Sequence, residues 1–170
     1  MKELIIHPFD PIFDAGSEIL ILGTIPSPKS REQNFYYGHP QNRFWHIMAD
    51  IFEEQPLQTI GKKCDFLHRH HIALWDVFAA CEIRGADDAS IRNAVPNDLD
   101  RIFSVSPIQT VFTNGTKAAA AYRKHFLAKY SVPWLALPST SPANCRNWTY
   151  ETIREEWKKI TGVESSVFIG

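Results

Sequence analysis

The apolar run Ile19-Leu20-Ile21-Leu22 stops at Gly23 and passes directly into a Pro-rich loop, Thr24 to Pro28. A short continuous apolar run ending in Gly and small residues has the pattern of a strand buried on both faces of a parallel sheet. Ligands of such sheets sit beyond the carboxyl ends of the strands. The loop after Leu22 is therefore the first place where chemistry is expected.

The same pattern returns three times. Ile72 to Trp75 ends at Asp76, Ile108 to Phe112 is broken by Thr113-Asn114-Gly115, and Trp134 to Leu137 runs into the small-residue loop Pro138 to Asn144. Helices are predicted between these runs. Over Arg43 to Phe52, Phe44, Ile47, Met48 and Ile51 recur at helical spacing behind Asn42 as N-cap. Further helices are predicted over Leu57 to His70, Asp98 to Ser104 (capped by Asn97), Thr116 to Lys129 and Thr149 to Ile160. Strands alternating with helices predict an α/β fold, a three-layer α/β/α sandwich whose central, mainly parallel sheet has about four strands. Less pattern marks the rest. Met1 to Gly16 reads as an irregular arm covering an edge of the core, with no chemistry of its own. Ala79 to Asn97 reads as a long loop with a helical turn or two, and Val163 to Gly170 as a tail of unassigned role.

With 170 residues, 44% of them apolar, the chain can bury a core without staples, and a single domain spanning 1–170 is expected. Cys64, Cys81 and Cys145 are far apart and odd in number, which argues against a disulfide framework or a zinc knuckle and suits a reducing cytoplasm. No apolar run approaches the roughly 18 residues of a membrane span, and Pro8 and Pro11 interrupt the opening residues where a signal peptide would need its apolar stretch. A soluble, cytoplasmic protein is expected. Formal charge is −1 but unevenly placed: Lys117, Arg123, Lys124 and Lys129 share a stretch free of acidic residues, whereas Asp87, Asp88, Asp98 and Asp100 cluster elsewhere. One basic face is expected.

In a parallel sheet the four strand tips share one edge, so four distant segments converge on one cleft. Gly23 to Pro28 lacks the Gly-Lys-Ser/Thr ending of a P-loop and the spaced glycines of a dinucleotide fold. Neither a Gly-x-Ser-x-Gly elbow nor a Cys–His frame is present, so nucleotide-dependent and esterase-like chemistries fall away. His68, His70 and His71 are read as solvated residues at a polar helix end rather than metal ligands.

Three segments now carry a resemblance: Leu22-Gly23-Thr24-Ile25-Pro26-Ser27-Pro28, then Phe35-Tyr36-Tyr37-Gly38-His39-Pro40-Gln41-Asn42-Arg43-Phe44-Trp45, then Leu137-Pro138-Ser139-Thr140-Ser141-Pro142-Ala143-Asn144. Together they resemble the uracil-DNA glycosylase superfamily. Within it the chain is most similar to the DNA-deoxyinosine (hypoxanthine-DNA) glycosylase branch, and more distantly to the mismatch-specific uracil/thymine glycosylases, which share a His-Pro-x-Asn-Arg-Phe-Trp segment. The likeness spans Ile19 to Trp157, and the middle motif is its specific part. It implies an enzyme that turns a deaminated base out of DNA into a pocket and hydrolyses its N-glycosidic bond, without metal or cofactor, as a monomer. Hypoxanthine is the implied substrate, with uracil or xanthine as runner-up.

The resemblance also implies roles. Thr24, Ile25, Phe35, Tyr36, Tyr37, Asp76 and Asn114 would form the base pocket, the aromatic rings stacking on the base and Asp76 accepting its N1–H. Ser27, Lys29, Ser139, Thr140, Ser141, Pro142, Ala143, Asn144 and Arg146 would meet DNA. The short loops would offer backbone N–H groups to phosphates, and the late loop would also fill the gap left by the extruded base. Arg43 is read as structural. The chain departs from the superfamily pattern at Ile25 and Leu137, apolar residues where many members place polar, water-orienting ones. Asn42 is the nearest motif residue with both a donor and an acceptor to hold water, and it equally suits the cap of the following helix. A non-catalytic nucleic-acid or nucleobase-binding protein stays open on Ile25 and Leu137; Asn42 and the intact late loop favour an enzyme.

Overall fold

A computed structural model of the chain describes residues 2–162; the predicted tail Val163 to Gly170 lies outside the described residues. In chain order the elements are β1 (Glu3–Ile6), β2 (Ile19–Gly23), α1 (Pro28–Gln33), α2 (Phe44–Ile51), α3 (Ile60–Arg69), β3 (Ile72–Asp76), β4 (Phe78–Arg84), β5 (Asp87–Pro96), α4 (Asp100–Phe103), β6 (Thr110–Asn114), α5 (Thr116–His125), β7 (Trp134–Leu137) and α6 (Tyr150–Trp157). Four strands form a parallel sheet in the order β3-β2-β6-β7, the expected centre of an α/β/α sandwich. Register brings the tips level, pairing Gly23 with Asp76, Leu22 with Thr113 and Asn114 with Leu137. From β2 the chain crosses to β3 on one side, and from β6 to β7 on the other. The loops after β2 and β6 therefore diverge, and the crevice between those tips is the topological switch point where such sheets bind ligands.

The sheet forms where the apolar runs are because β2, β3 and β6 are covered on both faces: Leu20, Ile21, Leu22, Ile72, Leu74, Val111 and Phe112 are all buried. Helix α2 turns Phe44, Ile47 and Met48 inward, each burial contributing about 1.5–3 kcal/mol. Phe44 meets Trp157 of α6 edge-on at 5.7 Å, which fixes the start of α2 against the last helix. Thr59 and Thr149 cap α3 and α6, each accepting from the backbone N–H three residues on.

Several expectations need correction. Ala79 to Asn97 is no loop: β4 and β5 are an antiparallel hairpin, joined by β1 into a second sheet of order β1-β4-β5. The arm is correspondingly part strand, and Leu4 and Ile6 face solvent, with only Ile5 of β1 buried. The Pro-rich loop leads directly into an unexpected helix, α1, with Ser27 as its cap. Asn97 caps nothing; its Nδ2 donates to the Asp76 carbonyl at 2.8 Å. Boundaries also shift: α3 begins at Ile60, β6 at Thr110, and α5 ends at His125. The three cysteines are free thiols, with Cys81 buried and Cys145 exposed.

His68 and His70 are not merely solvated. His68 Nδ1 lies 3.0 Å from Asp14 Oδ2, and His70 shares Glu54 with Arg69, whose guanidinium grips both Glu54 oxygens at 2.7 and 2.8 Å. That grip, first of all from Arg69, lowers the Glu54 pKa to about 2. A folded-state pKa below the unfolded one contributes stability that is full above the unfolded value near pH 4.5 and is lost as pH falls toward 2. Glu54→Gln should therefore lower the melting temperature at pH 7 and leave it unchanged near pH 2; an equal shift at both would show the cluster to be electrostatically idle.

Candidate active site

A cavity of about 230 Å³ opens at the shared edge of the parallel sheet, lined by Gly23, Asp76 and Asn114 at the ends of β2, β3 and β6, by Thr24 and Ile25 after β2 and by Ser139 to Ala143 after β7. The convergence expected of the four tips is thus present. Two further walls come from the Tyr36 to Asn42 segment and from the β4–β5 hairpin, which contributes Ile83, Ala86 and Asp88.

Asp76 is 3% exposed, and a carboxylate so buried needs partners. Its Oδ2 lies 2.7 Å from Nε2 of His7, a bond that places a proton on Nε2. His7 Nδ1 is buried without a hydrogen-bond partner. The other oxygen, Oδ1, is held over Gly23, where a Cβ would stand only 2.5 Å away. The Tyr37 hydroxyl stands over the same glycine, 2.7 Å from that Cβ position. Tyr37 has a left-handed backbone, φ 53°, a strained conformation for an aromatic residue, and its ring stacks on Phe44 at 4.2 Å. Beside the Asn114 amide, its buried hydroxyl makes no hydrogen bond of ordinary geometry. Burial first, then the Asp76 carboxylate, holds its pKa far above the usual range, so it stays a neutral donor.

Asn42 stands one residue before the N-cap, Arg43, which makes no side-chain cap bond, yet it serves the helix start: its Oδ1 accepts from the Phe44 N–H at 2.9 Å. The amide is thereby oriented, and among the described residues its Nδ2 has no partner while the residue lines the cavity. Asn114 is spent differently. Its Oδ1 accepts from Thr140 N and its Nδ2 donates to Thr140 Oγ1, both at 3.0 Å, while the Thr140 carbonyl accepts from Arg43 N at 3.1 Å. Thr140 thus ties the β6 tip, the start of α2 and the late loop together. Arg43 is structural as read, its Nη1 donating to the Trp148 carbonyl at 2.7 Å.

Other expectations are corrected by packing. Phe35 is buried against Trp45, ring centroids 6.0 Å apart, and is not part of the cavity wall. Tyr36 lines the cavity but is 2% exposed, and its hydroxyl donates to the Asp10 carbonyl; neither aromatic is a free stacking platform. One face of Tyr37 is already taken by Phe44. Lys29 is exposed and pairs with Glu32; Arg146 is exposed and Asn144 half-buried, both outside the cavity wall, and Asn144 Nδ2 braces the loop through the Ser139 carbonyl. The loop N–H groups of Thr140, Ser141 and Ala143 are already bonded within the protein and the Ser27 hydroxyl donates to Ser30 Oγ at 3.1 Å, leaving the Ser139 and Ser141 hydroxyls to meet an anion. The basic stretch is divided: Lys129 pairs with Asp100 and Arg123 lies over Trp134, while Lys117 and Lys124 border a hollow between β5 and α5. Among the described residues no group of three or more His, Cys, Asp and Glu could hold a metal ion, and no helix is long and apolar enough to cross a membrane.

The sequence reading missed His7, His39, Ile83, Ala86 and Asp88. No local signal marks His7, whose partner lies 69 positions away. His39 stood inside the middle motif but carried no assigned role; its Nδ1 accepts from Gln41 N at 3.0 Å. The hairpin residues had a signal in the alternation Cys81-Glu82-Ile83-Arg84 before Gly85-Ala86, the pattern of a strand entering a tight turn.

The chain is similar to known proteins in sequence and in fold. Two hypoxanthine DNA glycosylases are similar in sequence: one from Methanosarcina barkeri, 37% identical over 65% of this chain and 71% of its own length, and one from Methanosarcina acetivorans, 34% identical over 89% and 95%. A solution NMR structure of a candidate uracil DNA glycosylase from Methanosarcina acetivorans superposes with a TM-score of 0.76 at 33% identity, covering 88% of this chain and 92% of that one. The family model of the uracil DNA glycosylase superfamily matches residues 11–161, from the arm that supplies part of the core to the end of the last helix. The chain belongs to the uracil DNA glycosylase superfamily.

Proposed function

We propose that this protein is a cytoplasmic, monomeric DNA glycosylase that hydrolyses the N-glycosidic bond of deaminated bases in DNA, hypoxanthine before uracil and xanthine, and leaves an abasic site. The carrying observation is the pair of unspent groups over Gly23: Asp76 Oδ1, an acceptor, and the Tyr37 hydroxyl, a donor, side by side in one cavity wall. An N–H next to a C=O complements that pair. Hypoxanthine presents it as N1–H and O6, whereas adenine presents an acceptor and a donor in the reverse order and is refused by the carboxylate. The names of the Methanosarcina relatives support the same substrate.

Hydrolysis joins a water oxygen to C1′ as the C1′–N bond breaks; the base leaves with the bonding pair and takes up the proton that the water gives up. Charge develops on the sugar and on the departing base, so fixed dipoles aimed at those points accelerate the reaction. Asn42 holds the water: its Nδ2 donors are free, and the capped Oδ1 keeps a second lone pair for the water's proton. Tyr37 supports the charge gathering on the leaving base. The braced loop Ser139 to Ala143 enters the vacated stack, while the Ser139 and Ser141 hydroxyls contact the flanking phosphates.

Duplexes each holding one deoxyinosine, deoxyuridine or deoxyxanthosine, cleaved under single turnover and nicked with alkali, test the reading directly. No abasic site from any of them would leave only a binding protein. Asp76→Asn tests base readout: because His7 keeps hold of the oxygen, the new NH2 faces the base and opposes N1–H. Deoxyinosine cleavage should fall at least about tenfold, and cleavage of deoxyuridine and deoxyxanthosine, which present the same N–H, should fall with it. Unchanged deoxyinosine cleavage would make Asp76 structural only.

A further inference from the structure

The donor–acceptor pair over Gly23 reads a feature common to hypoxanthine and uracil, since uracil also places an N–H beside a C=O. Preference for the purine must come from a contact to the part uracil lacks, the five-membered ring. The acceptor on that ring's exposed edge is N7, at the far end of the edge that begins with N1–H and O6. A protein group that meets N7 has to be a donor.

Asp88 is the cavity residue with no role so far. It stands just beyond the tip of the β4–β5 hairpin, after Gly85 in its left-handed turn, and lines the cavity together with Ala86. Its Oδ2 accepts from Thr24 Oγ1 at 3.3 Å. Gly23, the preceding residue, lies under Asp76 Oδ1, so the two carboxyls flank consecutive residues of the β2 tip. Two ionised carboxylates on one base-sized cavity would offer acceptors only, and hypoxanthine has a single ring N–H of use to them. One carboxyl must therefore carry a proton for both to engage the base.

We propose that Asp88 carries that proton and donates a hydrogen bond to N7 of the bound purine, which makes it the residue that separates purine from pyrimidine lesions. This rests on the glycosylase reading above. Thr24 fixes Oδ2 as the acceptor and leaves Oδ1 to hold the proton. Asp88 as a residue is exposed at the cavity rim, but its carboxyl is held against Thr24 in a part-buried contact; there desolvation, the Asp76 carboxylate on β3 and Asp87 on its own strand raise its pKa to about 6, against the Thr24 hydroxyl and Lys117 on α5. Tyr37 and the Cys81 thiol on β4 also feel its charge, which raises their own pKa values. A base that displaces water from the cavity pushes Asp88 further up. The neutral donor is present at low pH and is lost as pH rises through and beyond 6, so deoxyinosine cleavage should decline on the alkaline side.

The test is single-turnover cleavage of duplexes holding deoxyinosine, 7-deaza-2′-deoxyinosine or deoxyuridine by the wild type, Asp88→Ala and Asp88→Asn. Asp88→Ala should slow deoxyinosine cleavage at least about tenfold, the rate equivalent of one hydrogen bond in the transition state, and change the other two substrates by less than about twofold. Asp88→Asn, whose NH2 donates at every pH, should restore the deoxyinosine rate and remove its alkaline decline. Equal losses on all three substrates, or an alkaline decline that survives in Asp88→Asn, would overturn the inference. The 7-deaza and deoxyuridine rates report whether each variant is folded. A wild type that cleaves deoxyinosine with no sensitivity to Asp88 sinks this inference alone, whereas one that cleaves none of the three sinks the glycosylase reading itself.

Discussion

Asn42→Ala should lose at least about 100-fold in single-turnover cleavage, a typical loss for one preorganised dipole at a reacting centre, while the protein stays folded. Helix capping and water positioning are not rivals at this residue. The Phe44 N–H takes one lone pair of Oδ1 at 2.9 Å, and that bond is what holds the amide still enough to aim Nδ2. Loss of the cap alone costs about 1 kcal/mol, too little to unfold a chain whose α2 buries Phe44, Ile47 and Met48. Asn42→Asp separates the two jobs. Its carboxylate still caps the helix, favourably at a helix N-terminus, yet offers no donor, so stability should hold while cleavage falls nearly as far as in Asn42→Ala. An Asn42→Asp protein with normal cleavage would mean that the water is held elsewhere, and Ile25 and Leu137 would then stand as evidence for a binding protein.

How much of this could be read from residues alone followed the range of the interactions. Parallel strands announce themselves because burial on both faces leaves continuous apolar runs, so β2, β3 and β6 are readable from residues alone, and β7, a half-buried edge strand, shows through its own short apolar run. The hairpin was not, because β4 and β5 carry polar residues, bulged register and the charged pair Asp87-Asp88, and their strand character depends on β1, far away in sequence. Aromatics in the middle motif were assigned to stacking because Gly and Pro flank them. The fold instead packs Phe35 on Trp45 and Tyr36 on Phe9, and the first turn of α2 supplies the core that local sequence did not reveal. Asp76 is legible at the shared edge from its position at the end of a strand, and it lines the cavity there. Its bond to His7 was invisible, since nothing in an arm of mixed apolar and Pro residues says that its one histidine reaches the sheet edge.

Gly23→Ala should abolish measurable cleavage or reduce it by at least about 100-fold, because displacing a reacting geometry by about 1 Å costs that much. Gly23 is not needed for its backbone freedom: its φ is not among the positive ones. It is needed for space. The methyl would lie 2.5 Å from Asp76 Oδ1 and 2.7 Å from the Tyr37 hydroxyl, nearer than any real carbon sits, so at least one group must retreat. Neither retreats cheaply. Asp76 is anchored through its second oxygen to His7 at 2.7 Å, and Tyr37 is stacked on Phe44 at 4.2 Å in a backbone conformation that its neighbours already hold under strain. The methyl also occupies the floor between the donor and the acceptor, where the edge of the base would rest. The fold should bear the change better than the site does, because β2 keeps its ladder to β3 and β6. The measurement is the melting temperature together with the deoxyinosine rate. A second variant, Gly23→Ala with Tyr37→Phe, relieves the hydroxyl contact and leaves the carboxylate contact, so it should recover stability but not cleavage. Normal cleavage by a folded Gly23→Ala protein would show that the base does not approach the β2 tip, and the assignment of Asp76 and Tyr37 as its readers would fall with it.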